Sequence, residues 1–462
     1  MVMTQSTMTA SIPRAGPIPG FGGPVSYRIS GKTTGSGSGN RTHTFVAEEQ
    51  ILSLLCIPVS PSRHDCYSNR PLLCNGNCRR RISPHSAPKF MHFSSSTDVF
   101  VIGGGPAGLA TAIAARRKGF DVTLADCAVP PIDKACGEGV MPDGQLAAST
   151  IGINLDEIPG ARFSGIRFED SETVLQSRFP RGHGLGMRRT TLHNYLVDVA
   201  AEAGVRMHWG TPITGIGRNS VTAGGQQITT RWIVGADGGQ SRVRRWAGLD
   251  AASVDTRRYG FRAHYRIEPW SEFMQVYWGD GCQIYVTPVA GDEICVAVLS
   301  RDHHLRLADA LPRFPQLAQR ISHVEAARPA SEMGGMSVTR RFHSVHRGDV
   351  ALVGDSSGSI DAITGEGMCL LFQQSGALAD AVAAGNLELY QKAHDRIGRR
   401  PRFMSDVMLM LAEHPHLRSR AFRLMASHPR LFEGMLKAHV GEASPATSIS
   451  SGLALGWYWL TL

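Results

Sequence analysis

Surplus charge is scarce in the part of this chain that reads as folded. The net charge of +9 over 462 residues looks at first like a hint of nucleic acid. Residues 1–90, however, hold ten Lys/Arg against three Asp/Glu, and leave only +2 for everything that follows. A nearly neutral body has no basic face demanded by its counts, so no nucleic-acid partner is expected. Long apolar runs are scarce as well: Ile51–Val59 is too short for a membrane span. Cysteine is present without pairing. Four lie early (Cys56, Cys66, Cys74, Cys78) and five later (Cys127, Cys136, Cys282, Cys295, Cys369). The odd later count reads as buried or reactive thiols in a reducing compartment, not as a disulfide frame. Cys74-x-x-x-Cys78 lacks a second ligand pair, so no metal is expected. His183, His264 and the pair His303-His304 read as surface or satisfied residues.

The first 90 residues are rich in Gly, Ser, Pro and Arg and include the low-complexity run Gly31–Asn40. Such a composition buries too little apolar surface to order itself. Three readings stay open. The start codon is placed too early and Met91 is the true start, which is preferred; or the segment is an Arg- and Ser-rich organellar transit segment; or it is a disordered tail.

What the chain has in plenty is glycine, 51 residues, most tellingly at the ends of apolar runs. Asp98–Ile102 reads as a buried strand, followed by Gly103-Gly-Gly105-Pro-Ala-Gly108 and a helical run from Leu109 to Lys118. Gly103 permits a tight turn, Gly105 lets a pyrophosphate approach the backbone, and Gly108 allows close helix–strand packing. The next strand ends in Asp126, 18 residues beyond Gly108, where a carboxylate suits a ribose hydroxyl. A second strand end is Ile233-Val-Gly-Ala-Asp237-Gly238. A third is Val350–Val353 followed by Gly354-Asp355, with Thr364-Gly365-Glu366-Gly367 opening an apolar helix from Met368 to about Ala384. Backbone N–H groups and the helix dipole at such a start favour negative charge.

These three motifs, in this order, resemble the para-hydroxybenzoate-hydroxylase-fold flavoproteins, the group of single-component flavin monooxygenases and geranylgeranyl reductases. The resemblance runs from roughly Asp98 to Gly441 and implies FAD. It implies that Gly103, Gly105, Gly108 and Asp126 hold the pyrophosphate and ribose, and that Asp237 and Gly238 lie near FAD and passing NADPH or NADH. Gly354 and Asp355 would hold the ribityl region, Gly365 and Gly367 the flavin's N1/C2-oxygen edge. Arg189, in Arg188-Arg189-Thr-Thr-Leu192, matches the group's Arg-x-x-Leu and would reach the cofactor. The implied fold is α/β: a discontinuous Rossmann-like FAD-binding domain (98–160, 185–250, 345–400), a mostly antiparallel β substrate domain (160–185, 250–345) and C-terminal helices over 401–441. Within the substrate domain, Gln283–Val289 and Ile294–Leu299 read as a hairpin around the turn Ala290–Glu293.

Chemistry is less sharply written. Cys136-Gly137-Glu138-Gly139 is similar to the Cys-Gly-Glu/Gly-Gly segment of geranylgeranyl reductases and would lie beside the isoalloxazine ring, although a plain glycine-rich loop reads equally well. Cys136, Glu138 and Glu366 are the candidate proton donors or gates. Hydroxylases of the group carry Gly-Asp-Ala-Ala-His and a closing Gly-x-Gly-x-Asn; Gly354–Gly358 and Gly365–Met368 lack the His and Asn. Thr-Gly-Glu-Gly is closer to the reductases, although Asp361-Ala362 replaces their Asn-Pro. Hydride transfer from NADPH or NADH through FAD to a C=C bond of a lipophilic substrate is therefore expected. The alternative is monooxygenation, hydroxylating or epoxidising an aromatic, polyketide or isoprenoid substrate. A flavin halogenase is disfavoured, as no Trp-x-Trp-x-Ile-Pro segment is found; a non-redox FAD binder stays open. The methionines of 401–441 (Met404, Met408, Met410, Met425, Met435) either pack a core or line a pocket for a flexible apolar molecule. A cytoplasmic location is expected, with peripheral membrane contact or simple packing for the aromatic end Gly456–Leu462; the oligomeric state is not readable.

Overall fold

Two sheets of different character share the chain, and their contrast positions everything else. The computed structural model describes residues 93–322 and 332–442, and of 252–255 the backbone alone. The expectations on residues 1–90, on Met91 and on Gly456–Leu462 fall outside the described residues.

The first sheet is built around Ser96–Ile102, whose Val-Phe-Val-Ile run is buried on both faces. Continuous apolar strands of this kind belong in the middle of a parallel sheet covered on both sides. On one flank it pairs in parallel with Val122–Ala125, which pairs in parallel with Arg206–His208. On the other flank it pairs in parallel with Gln226–Gly235, which pairs in parallel with Val350–Leu352. The register sets Ala125, Ile102, Gly235 and Leu352 side by side, so four strands from distant parts of the chain end along one edge. Helix Pro106–Arg117 follows the first of them, with proline at its start, where the missing N–H costs nothing. It packs against helix Gly367–Ala383, and a buried hydrogen bond of 2.9 Å joins Thr111 Oγ1 and Ser375 Oγ.

The second sheet has seven strands in the order Met333–Phe342, Ala252–Tyr265, Glu293–Ser300, Cys282–Ala290, Phe273–Trp278, Gly165–Glu169, Val174–Arg178. All neighbours run antiparallel except Gly165–Glu169 beside Phe273–Trp278. The expected hairpin is there, Cys282–Ala290 against Glu293–Ser300. Phe168 on this sheet meets the rings of Trp278, Phe422 and Phe432 at centroid distances of 5.4, 6.1 and 5.3 Å. That aromatic cluster seats helices Pro415–Ser427 and Pro429–His439 on the sheet. Each of these helices starts at a proline, which also ends what precedes it. The boundary drawn between residues 400 and 401 falls inside a helix. Helix Leu387–Glu413 runs through Pro401, which is buried, so packing overrides the lost backbone hydrogen bond. No described helix is long and apolar enough to cross a membrane.

A buried ion pair joins the two sheets' territories. Arg258 Nε lies 3.1 Å from Asp361 Oδ2, the side chains 5% and 2% exposed, and Arg258 also donates to Gln283 Oε1. Asp361 caps the 3-10 turn Ala362–Thr364 through Ile363 N, which sets the direction of the glycine turn behind it. Removing one member of such a pair strands a buried charge. Arg258→Met should lower stability by about 3–5 kcal/mol in denaturant unfolding, and adding Asp361→Leu should recover most of it.

Candidate active site

The edge where the four parallel strands end is lined by the glycine motifs, and the geometry gives most of these glycines a distinct reason. At Gly103 (φ +112°) a side-chain carbon would stand 2.4 Å from Ala236 O, and at Gly108 1.8 Å from Gly103 O. The turn thus closes tightly on the start of helix Pro106–Arg117. That helix has no side-chain cap and no acid in its first turn, leaving its N–H groups open to an outside anion. Gly105, Gly238, Gly365 and Gly367 behave differently: nothing lies within 4 Å of where their side chains would be. They front an open seam. Helix Gly367–Ala383 likewise begins on it without a side-chain cap. At Gly354 (φ +63°) a side-chain carbon would stand 2.7 Å from Ala107 Cβ, and its N–H donates to Gln374 Oε1.

The charged residues divide into those that face the seam and those that build it. Asp126 accepts from Gly104 N at 2.6 Å and Ala128 N at 2.8 Å, keeping a lone pair on each oxygen for a ribose hydroxyl. Asp237 is spent on structure: it accepts from Ser241 Oγ and from Arg242 N and Val243 N, capping helix Arg242–Trp246. Asp355 is held by Lys134 Nζ at 2.7 Å. The ammonium beside it keeps the Asp355 carboxyl below its usual range, with Arg189 adding to the effect, and Asp355 raises Lys134 in return. The pair is about half-exposed, so it stabilises the fold little. Arg189 stands at the start of helix Arg189–Glu202 with its Nε buried and without a partner, a donor waiting for an acceptor.

Glu138 and Glu366 are not in one cluster. Glu138, with φ +59° and no exposure, accepts from Arg189 N at 3.0 Å and pairs with His264 Nε2 at 2.6 Å, with Arg262 3.6 Å away. Cys295 completes a set of ligand atoms within 4.8 Å, but the Arg262 cation beside it opposes a metal ion. Burial pushes the Cys295 thiol well above its ordinary value. Cys136 is half-buried, its sulfur accepting from Glu138 N at 3.4 Å. Glu366, 2% exposed, has neither oxygen hydrogen-bonded. Burial pushes its carboxyl above the usual range, Asp143 adding to the rise against the opposing pull of His439 and Arg400. Sequence reasoning passed over Lys134, Arg244, Arg262 and His439. Arg244 is buried against the Phe342 ring and ties Gly239 O, Ser356 O and Asp250 together, an outcome that the string Arg242-Val-Arg244 does not announce. All five cysteines among the described residues are free.

Residues 96–385, more than half of the chain, match the FAD binding domain family. The chain belongs to that family. It is similar to menaquinone reductase of Mycobacterium tuberculosis, 28% identical over 311 residues that cover 60% of this chain and 74% of that protein. It is also similar to digeranylgeranylglycerophospholipid reductase of Thermoplasma volcanium, 26% identical over 355 residues covering 70% and 85%. Among solved structures, the flavin-dependent brominase Bmp2 superposes with a TM-score of 0.65 at 17% identity, over 79% of this chain and all of that one. The p-nitrophenol 4-monooxygenase PnpA from Pseudomonas putida does so with 0.64 at 16%, over 76% and 99%. At these identities the structural likeness speaks for the fold alone. The protein is an FAD-dependent oxidoreductase of the para-hydroxybenzoate-hydroxylase fold. The open glycine seam, the two uncapped helix starts and the unpaired Arg189 Nε fit FAD as its occupant.

Gly105→Val should give folded, colourless protein, because the added side chain occupies the open seam. Asp355→Ala should lose FAD on gel filtration; a fully yellow variant would take Asp355 out of the site. His394, hydrogen-bonded to Ser357 Oγ at 3.0 Å, is lowered to about 4 by burial. Between about pH 6.5 and 4 the unfolded chain binds this proton and the folded one does not, so stability is lost as pH falls through that window. The loss should be roughly 2–4 kcal/mol in pH-dependent unfolding, and His394→Gln should flatten it.

Proposed function

We propose that this flavoprotein carries electrons from NADPH or NADH to a carbon–carbon double bond of a lipophilic substrate. The observation that carries the reading is a narrow apolar pocket between the second sheet and the C-terminal helices. Met141, Met274, Met404, Met408 and Met435 line it, together with Tyr285 and Thr364. Thr364 is followed at once by the Gly365-Glu366-Gly367 turn, so the cavity abuts the helix start that faces the FAD seam. Of the methionines in 401–441, Met410 is exposed and Met425 is buried away from the cavity, while Met404, Met408 and Met435 line it. Unbranched thioether side chains conform to a flexible chain, which suits an isoprenoid better than a rigid aromatic ring. The two relatives named for quinone and prenyl-lipid reduction support the same choice.

Bound FAD would supply two electrons and a hydrogen as hydride. The residues of this chain exclude water, hold the chain of the substrate and provide the proton. Of the two acids put forward as donors, Glu138 has both oxygens engaged, and Glu366 has both open. Exposed Leu389, Phe403 and Met410 lie at multiples of seven residues on one face of helix Leu387–Glu413, which supports peripheral membrane contact for collecting such a substrate.

The test is anaerobic stopped-flow reduction by NADPH and by NADH, followed by mixing with a diprenyl naphthoquinone or with oxygen. Reoxidation by the prenyl compound without oxygen, yielding the saturated side chain, is expected. Reoxidation by oxygen through a transient absorbing species, with an oxygenated product, would favour monooxygenation instead.

A further inference from the structure

Glu366 occupies the cap position of helix Gly367–Ala383 yet makes no capping hydrogen bond. Its side chain lies near two basic residues on other helices. Arg400 of Leu387–Glu413 is 3.6 Å from Oε1, and His439 Nδ1 of Pro429–His439 is 4.0 Å from Oε2. Arg400 is already committed: its NH2 group lies 2.6 Å from Asp143 Oδ2, on helix Pro142–Thr150. These two charges cancel. Cys369, also close, stays a neutral thiol because burial pushes it well above its ordinary value. What remains is a carboxyl group and an imidazole, the residues 2% and 7% exposed, with Oε1, Oε2 and Nδ1 within ion-pair reach but without a hydrogen bond.

Three buried, unsatisfied polar atoms at one place are costly, and a fold keeps such a place for a reason. A single proton shared between Glu366 and His439 leaves the group of four neutral, whichever of the two carries it. The imidazole is also a lining residue of the methionine cavity. His439 therefore stands between the acid and whatever fills the cavity.

We propose that His439 and Glu366 form the proton source of the cavity, His439 protonating the substrate and Glu366 recharging the imidazole. The inference rests on the reading of the enzyme as a C=C reductase and names the residues that complete the reaction. Reduced FAD held in the seam would supply the hydride for one alkene carbon and be left oxidised by two electrons. The π pair takes a proton from the His439 ring to form the C–H bond on the other carbon. The imidazole is then reprotonated from Glu366, and Glu366 from water on the side of Arg400, which is 30% exposed. One hydride and one proton are added, and one double bond is consumed. His439 is the residue in contact with substrate; Glu366 acts through it.

The test combines two readouts on the FAD-loaded full chain. Histidine ring NMR, with His439 assigned by its loss in His439→Gln, follows its titration in the native protein and in Glu366→Gln. The two titration curves are expected to differ. Identical titration curves would overturn the pairing, and this arm needs no turnover. In the second arm, reduced enzyme is mixed anaerobically with a diprenyl naphthoquinone. His439→Gln should lower kcat by about 10²-fold or more with KM little changed, and Glu366→Gln should move the pH profile of kcat. A loss confined to KM, or full kcat in His439→Gln, would overturn the proton role and leave His439 a packing or head-group contact. If the native enzyme itself never reduces the probe, the C=C reading falls, and with it the delivery of a proton to an alkene.

Discussion

Parallel pairing of strands far apart in sequence sets Ala125, Ile102, Gly235 and Leu352 side by side, and the site depends on that register. Each strand delivers its next residues to the same edge: Asp126, Gly103, Ala236-Asp237 and Gly354-Asp355 beyond Val353. Parallel strands converge this way because the crossover helices lie on the faces and leave the carboxyl ends free. Two helices then start on the seam without side-chain caps, so their exposed N–H groups and dipoles ask for an anionic partner. A slip of one residue in any of these pairings would misplace a motif and bury the wrong face of the strand.

The second sheet and the C-terminal helices impose a different constraint. Their interface is not filled. Phe168, Trp278, Phe422 and Phe432 lock one part of it, and the methionines leave an apolar space beside them. His439 lines that space and also meets Glu366, which Arg400 and Asp143 adjoin, so an apolar pocket and a buried polar cluster share one residue. The Arg258–Asp361 pair fixes the turn between the two compartments, Asp361 also capping Ala362–Thr364.

The framework was legible because it is local. Gly103–Gly108 needs its glycines for a turn and a close approach that four or five residues define, and the apolar strand before and helix after are visible as periodicity. The hairpin at 282–300 is local in the same sense. The polar clusters are not. Glu138 with His264 and Arg262, Arg258 with Asp361, and Glu366 with His439 join residues about 70 to 130 positions apart, and no spacing rule connects them. Asp237 shows the opposite limit: its motif was plain, yet the structure spends its carboxylate on capping the next helix. Pro401 is a third case, a residue that usually ends a helix and here sits inside one because its surroundings are packed.

The glycine seam should hold FAD with its reactive end against the methionine cavity. A crystal structure of the FAD-loaded protein soaked with a prenylated naphthoquinone tests this most directly. The pyrophosphate is expected at the start of helix Pro106–Arg117, the flavin edge at Gly365–Gly367, and the prenyl chain among Met404, Met408 and Met435 with His439 beside it. A flavin ring turned away from Thr364, or a prenyl chain bound outside the cavity, would contradict it.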